Sequence, residues 1–173
     1  MGSEHLVLVG LMGTGKTTIG TLLAARLERD LFDSDAMVEA RTGRTVREIW
    51  EADGEAAYRV HETAVLRDAL ASTDPRVIAA AGGVVLREEN RHALRDADAF
   101  VVWLRADPEV LVHRAVTGEH RPLLDRDPLG ALRQMATDRE ALYRDVADAE
   151  IDVSHRTPHE VADAIVAAMG ARR

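Results

Sequence analysis

Cysteine is absent from the chain. That excludes disulfides and thiol catalysis, and leaves the compartment undecided. Long apolar runs are missing too. None approaches the ~18 residues that a membrane span needs, and no signal-peptide pattern opens the sequence, so a cytoplasmic protein without membrane contact is expected. Positive charge is scarce, with 22 Lys and Arg against 30 Asp and Glu. A formal charge of −8 argues against nucleic acid as a partner, which would need a basic face. Aromatic residues amount to only 3%, and Trp50, Trp103, Phe32 and Phe100 are expected in the core, not on a platform for stacking bases. The seven histidines form no metal-ligand motif. His155 and His159, though four apart, straddle a Thr-Pro helix start and belong to the surface. No serine has the setting of a nucleophile.

Lysine occurs once, as Lys16, so arginine supplies 21 of the 22 basic residues. A lysine placed at random among those 22 positions would fall here once in 22 trials, which makes its position informative. It lies in Gly10–Thr17 ("GLMGTGKT"), a fit to the phosphate-cradling pattern G-x-x-x-x-G-K-[ST]. A compact ammonium on a flexible stem suits such a cradle, where a planar guanidinium does not. The loop follows an apolar run, "HLVLV", and precedes a segment with Ile19, Leu22, Leu23 and Leu27 at helical spacing, a stripe expected in the core. In that setting the backbone N–H groups from Gly13 through Thr14, Gly15 and Lys16 to Thr17 and Thr18 would hold phosphates at the positive end of the helix. Lys16 would reach the β- and γ-phosphates of ATP, and the Thr17 hydroxyl would ligate Mg²⁺.

The rest of the chain has to say what receives the phosphate. Its 173 residues, 46% hydrophobic and 30% charged, suit one folded domain over residues 1–173. Short apolar runs at His5–Val9, Leu31–Phe32, Val77–Ala80, Ala99–Leu104 and Glu150–Val153 read as strands covered on both faces. Helices lie between them. Thr45-Val-Arg-Glu48 is a capping box, and Asp107-Pro108, Asp127-Pro128 and Thr157-Pro158 each set a capping side chain before a first-turn proline. The alternation predicts an α/β fold with a five-stranded parallel sheet and right-handed crossovers. Residues 116–126 lack clear periodicity and suggest a mobile lid, or else a plain surface connection. A GTPase would need a second lysine to read guanine, and a large motor or transporter ATPase needs more chain. A small-molecule kinase fits.

Asp33-Ser34-Asp35 follows the second strand, at the edge where open parallel sheets bind ligands. One carboxylate can hold the metal through water while the other accepts a hydroxyl proton. Asp33 has a second reading, as the cap of the next helix. Arg59, Arg121 and Arg139 taken singly are surface charges. Taken together, two arginines can clamp a carboxylate in forks, and one on a lid can neutralise a phosphoryl group in transfer. Gly82-Gly83 would let bare backbone approach a ligand, or would mark only a turn.

These motifs together resemble the shikimate kinase family. The segments that carry the resemblance are "GLMGTGKTTIG" (10–20), "FDSD" (32–35), "GRTVREIWEADGEAAYRVHE" (43–62), "AGGVVL" (81–86), "VVWL" (101–104), "RPLL" (121–124) and "DREALYRDVA" (138–147). They span nearly the whole chain in the family's order. The resemblance implies a P-loop kinase fold with helices on both faces of the sheet, and transfer of a phosphoryl group from ATP to the 3-hydroxyl of shikimate, towards aromatic amino acids. It implies that Asp35 holds the acceptor hydroxyl and is a candidate base, with Asp33 an outer-shell Mg²⁺ partner beside Thr17. Arg59 and Arg139 would clamp the shikimate carboxylate, and Gly82, with Gly83 beside it, would touch a ring hydroxyl. Arg121 would fold over the phosphates, with Arg114 and Arg156 flanking the adenine. A monomer is expected.

The family usually shows three glycines after the third strand, and here the first is Ala81. A positive φ at that position would strain alanine, and a close substrate would meet its methyl group. Either effect would turn the site towards another hydroxy acid or cyclitol, such as gluconate, or leave a nucleotide-binding module without turnover. The presence of both carboxylate-binding arginines favours a harmless change.

Overall fold

The computed structural model describes residues 4–116 and 127–171. The expected lid falls almost wholly outside them, and Arg121 with it. Five short strands form one sheet: β1 (His5–Val9), β2 (Leu31–Asp33), β3 (Val77–Ala79), β4 (Ala99–Arg105) and β5 (Ala149–Asp152). Their order is β2-β3-β1-β4-β5 and every pairing is parallel. The expected strands are all present, with ends displaced by a residue where polar flanks such as Asp33 and Arg105 continue the ladder. All five residues of β1 are buried, so alternate side chains meet covering layers on both faces.

The crossovers are α1 (Lys16–Leu27), α2 (Ser34–Thr42), α3 (Val46–Leu70), α4 (Glu88–Asp96), α5 (Pro108–Val116) and α6 (Pro128–Val146), and α7 (Pro158–Ala171) follows the last strand. In α1 the expected stripe holds: Ile19 and Leu23 are buried, and Leu22 and Leu27 pack against the core from its margin. All four aromatic residues expected inside are buried or packed on the core. The capping box at α3 is complete, with the Thr45 hydroxyl accepting from Glu48 N and Glu48 accepting from Thr45 N. Asp127 accepts from Gly130 N at 2.9 Å ahead of Pro128. α3 breaks at Gly54, which leaves helical geometry before the helix resumes through Tyr58 and Arg59. Its second half presents both side chains to the carboxyl edge of β1, β2 and β3, where the chain direction gathers the loops of the site.

Candidate active site

The nucleotide side is built by the turn from β1 into α1. Gly15, directly before the helix, sits at φ 87°, a left-handed conformation that glycine reaches without steric cost. No side chain caps α1, so its first-turn N–H groups and positive dipole face the cleft as an anion site. The Lys16 ammonium donates to Gly10 O at 2.8 Å and Leu11 O at 2.9 Å. It is held along the loop's own carbonyls, one swing of its stem from the mouth. Thr14 does a different job from its neighbours. Its side chain is buried and its hydroxyl donates to Leu11 O at 2.8 Å, bracing the loop from within.

Next to that loop stands the aspartate pair. Asp33 splits its carboxylate: Oδ2 accepts from the Thr17 hydroxyl at 2.7 Å, and Oδ1 accepts from Ala36 N at 3.1 Å as the cap of α2. The cap reading of Asp33 therefore holds, and the same carboxylate also meets the Thr17 hydroxyl. A hydroxyl and a carboxylate at that spacing are hard oxygen donors suited to Mg²⁺, which keeps most of its positions for phosphate and water. The described residues contain no cluster of three metal-ligating side chains.

Asp35, in the first turn of α2, opens onto the same cleft. Its Oδ1 accepts from the Tyr58 hydroxyl at 2.5 Å. Enclosure by protein raises the Asp35 carboxyl above its ordinary range; the Tyr58 bond and the Lys16 charge pull it back, and Asp33 adds to the rise.

Two buried guanidinium groups line the cleft as well. Arg59 is 8% exposed and Arg139 is 7% exposed, a burial that long cationic side chains accept only when paired. Arg59 Nη1 donates to Glu62 at 2.8 Å and Nη2 to Glu55 at 2.9 Å, while its guanidinium lies over the rings of Trp50 and Tyr58. Glu62 is fully buried. Burial pushes its carboxyl up to about 7 in spite of the Arg59 charge. The folded state therefore holds an extra proton between the unfolded value of 4.5 and about 7, and stability present at low pH is lost as pH rises through that window. Comparing wild type with Glu62→Gln by thermal unfolding from pH 5 to 8 should show wild type losing ground with rising pH; parallel curves would contradict the assignment.

Position 83, in the segment after β3, has no room for a side chain. A Cβ there would lie 2.1 Å from Arg59 Nη1. The guanidinium is pinned by two carboxylates and stacked on two rings, so it cannot step aside cheaply. Gly83→Ala is expected to cost roughly 1–3 kcal/mol by overpacking. The damage should appear as weaker acceptor binding by about tenfold or more, read from KM, with ATP binding preserved.

From α6, Arg139 Nη1 donates to Gly82 O at 3.2 Å, and the Tyr143 hydroxyl donates to the same oxygen. Ala81 is buried and lines the cleft. Its φ is not positive, since Glu28 is the only non-glycine residue in that region among the described residues. The strain considered for alanine at this position is absent.

One cleft of about 720 Å³ collects these groups. Its lining includes Gly13, Gly15, Lys16, Thr17, Thr18 and Asp33. Asp35, Arg59, Gly82, Gly83 and Arg139 line it too, with Gly82 against the phosphate loop, where an added Cβ would lie 3.3 Å from Gly10 O. Arg114 lines the cleft as well, and its Nη2 donates to Val153 O and Ser154 O at 3.2 Å, tying α5 to the loop before α7. Arg156, on that loop, is exposed and does not line the cleft.

The model of the family "Shikimate kinase" matches residues 12–170. The chain belongs to the shikimate kinase family. A shikimate kinase from Symbiobacterium thermophilum is 49% identical to it over 160 residues, 91% of this chain and 91% of that protein. Among solved structures, "Shikimate kinase from Acinetobacter baumannii in complex with shikimate" is similar at a TM-score of 0.94 and 34% identity, covering 98% of this chain and 94% of that one. A gluconokinase from Sinorhizobium meliloti, at 16% identity and a TM-score of 0.60, shares the fold alone. Membership in the shikimate kinase family makes the chain a phosphotransferase that works with ATP and Mg²⁺.

Sequence reasoning gave no role to Tyr58, Glu62 or Tyr143. Glu62 carried a usable signal, since it follows Arg59 by three residues and so shares its helix face. Tyr58 and Tyr143 carried none, because their partners are distant in the chain.

Proposed function

We propose that the protein transfers the γ-phosphoryl group of ATP to the 3-hydroxyl of shikimate, giving ADP and shikimate 3-phosphate, as a cytoplasmic monomer on the route to aromatic amino acids. The observation that carries this reading is the meeting of Asp35, Arg59 and Arg139 in one cleft with Lys16. Two guanidinium groups and a carboxylate ask for an acceptor with a carboxylate at one end and a hydroxyl at the other.

Arg59 and Arg139 anchor the acceptor's carboxylate in forks, which fixes the ring's orientation. Asp35 then takes the hydroxyl's hydrogen bond and its proton as the oxygen attacks. Thr17 and Asp33 would hold Mg²⁺, which would supply neutralisation of the phosphates' charge. Lys16 leaves the loop carbonyls and follows the negative charge that develops on the transferred group.

Arg139→Ala is expected to raise KM for shikimate by roughly 10²-fold, in keeping with a lost charge-assisted pair, and to spare KM for ATP. Equal loss of both would contradict its place on the acceptor side. The product itself tests the reaction: phosphorus and proton NMR of the reaction with shikimate should show one phosphate ester, coupled to the proton on C3. An ester at another carbon, or none, would overturn the proposal.

A further inference from the structure

Gly82 and Gly83 give the acceptor wall two successive residues with the loosest of backbones, yet the wall has to hold a substrate in one pose. What fixes it comes from α6. Arg139 and Tyr143 are four residues apart, on one face of that helix, and both donate to Gly82 O. The two donors are not equivalent. Arg139 reaches the carbonyl at 3.2 Å with a single guanidinium nitrogen. Tyr143 is 1% exposed and makes the tighter contact. Its ring lies against Trp103 of β4, with centroids 5.8 Å apart and planes 20° from parallel. Burial pushes the phenol up to about 12, so it remains a donor at any physiological pH.

The Gly82 carbonyl is part-buried, and a carbonyl left without a donor as a site closes over it costs about 1–3 kcal/mol. If Arg139 alone met that need, its fork would be divided between Gly82 and an arriving carboxylate. We propose that Tyr143 is a positioning residue: its hydroxyl holds the Gly82 carbonyl so that Arg139 can give its whole fork to the substrate's carboxylate. The inference rests on the acceptor-side role given to Arg139 above and adds the residue that keeps it available.

Tyr143→Phe tests it, since the ring and its stack on Trp103 persist while the donor is lost. KM for shikimate should rise roughly tenfold, the equivalent of one hydrogen bond transferred to Arg139. Both kcat and KM for ATP should stay close to wild type. The methyl ester of shikimate, which offers no carboxylate to the fork, should bind wild type and Tyr143→Phe alike when measured by its inhibition constant. Trp103→Phe disturbs the same stack but keeps the hydroxyl; it should lower the melting temperature and leave KM for shikimate unchanged. The proposal is overturned by an unchanged KM in Tyr143→Phe, by an equal loss for acid and ester, or by the same KM rise in Trp103→Phe. A wild-type enzyme that ignores shikimate altogether would bring down the functional reading and this proposal with it. A wild-type-like Tyr143→Phe would remove this proposal alone.

Discussion

Lys16→Ala is expected to lower kcat by about 10³-fold, the loss typical of removing one preorganised donor from developing charge. Phosphoryl transfer asks little covalent chemistry of a protein, and its catalysis is nearly all positioning and charge stabilisation. This chain carries no other lysine to stand in. The ammonium already sits 2.8 Å and 2.9 Å from two loop carbonyls, so its removal deletes a charge from the mouth of the cleft without emptying a packed core. The folded protein should therefore melt within a few degrees of wild type. Arginine should not rescue the loss, because a planar fork cannot enter a cradle shaped for a point charge. Steady-state kinetics beside a thermal melt checks all three outcomes, and a Lys16→Ala enzyme with wild-type kcat would sink the role.

Asp35→Asn should be comparably severe, lowering kcat by about 10²–10⁴-fold, the range that a general base contributes. The change is nearly isosteric. The amide oxygen can still accept from the Tyr58 hydroxyl, so the local structure should survive while the proton acceptor disappears. Binding of ATP should be largely preserved, because the loop residues proposed to hold its phosphates are unchanged. In the wild type, enclosure raises the Asp35 carboxyl, so activity should fall with decreasing pH sooner than an ordinary aspartate would dictate. That acid limb should be missing from the residual activity of Asp35→Asn. A variant with near-normal turnover would show that Asp35 only orients the hydroxyl.

The parts of the site legible in the sequence are those whose chemistry is local. The phosphate loop is one such part: its glycine conformations, its lysine and its helix start lie within eight residues. Capping is another, and the box at Thr45 and Glu48 formed as its spacing required. Asp33 shows how two local readings need not compete, since its two oxygens serve the cap and the Thr17 hydroxyl separately.

What could not be read depends on register between distant elements. Tyr58 meets Asp35 across 23 residues, and Tyr143 meets Gly82 across 61. No periodicity encodes such distances. The spacing of Glu62 signalled its pairing with Arg59 but not its burial, because a glutamate three residues after an arginine usually marks a solvated helix face. Here the kink at Gly54 belongs to the same helix that turns both residues inward. Ala81 was a genuine ambiguity in the sequence, and backbone conformation alone decided against strain.

The most direct measurement is ADP release in a coupled assay with ATP and Mg²⁺, run against shikimate, gluconate and no acceptor. A saturable rate that requires both shikimate and Mg²⁺, with gluconate no better than the blank, is the expected result. A rate indifferent to shikimate, or faster with gluconate, would mean that Asp35, Arg59 and Arg139 face some other acceptor.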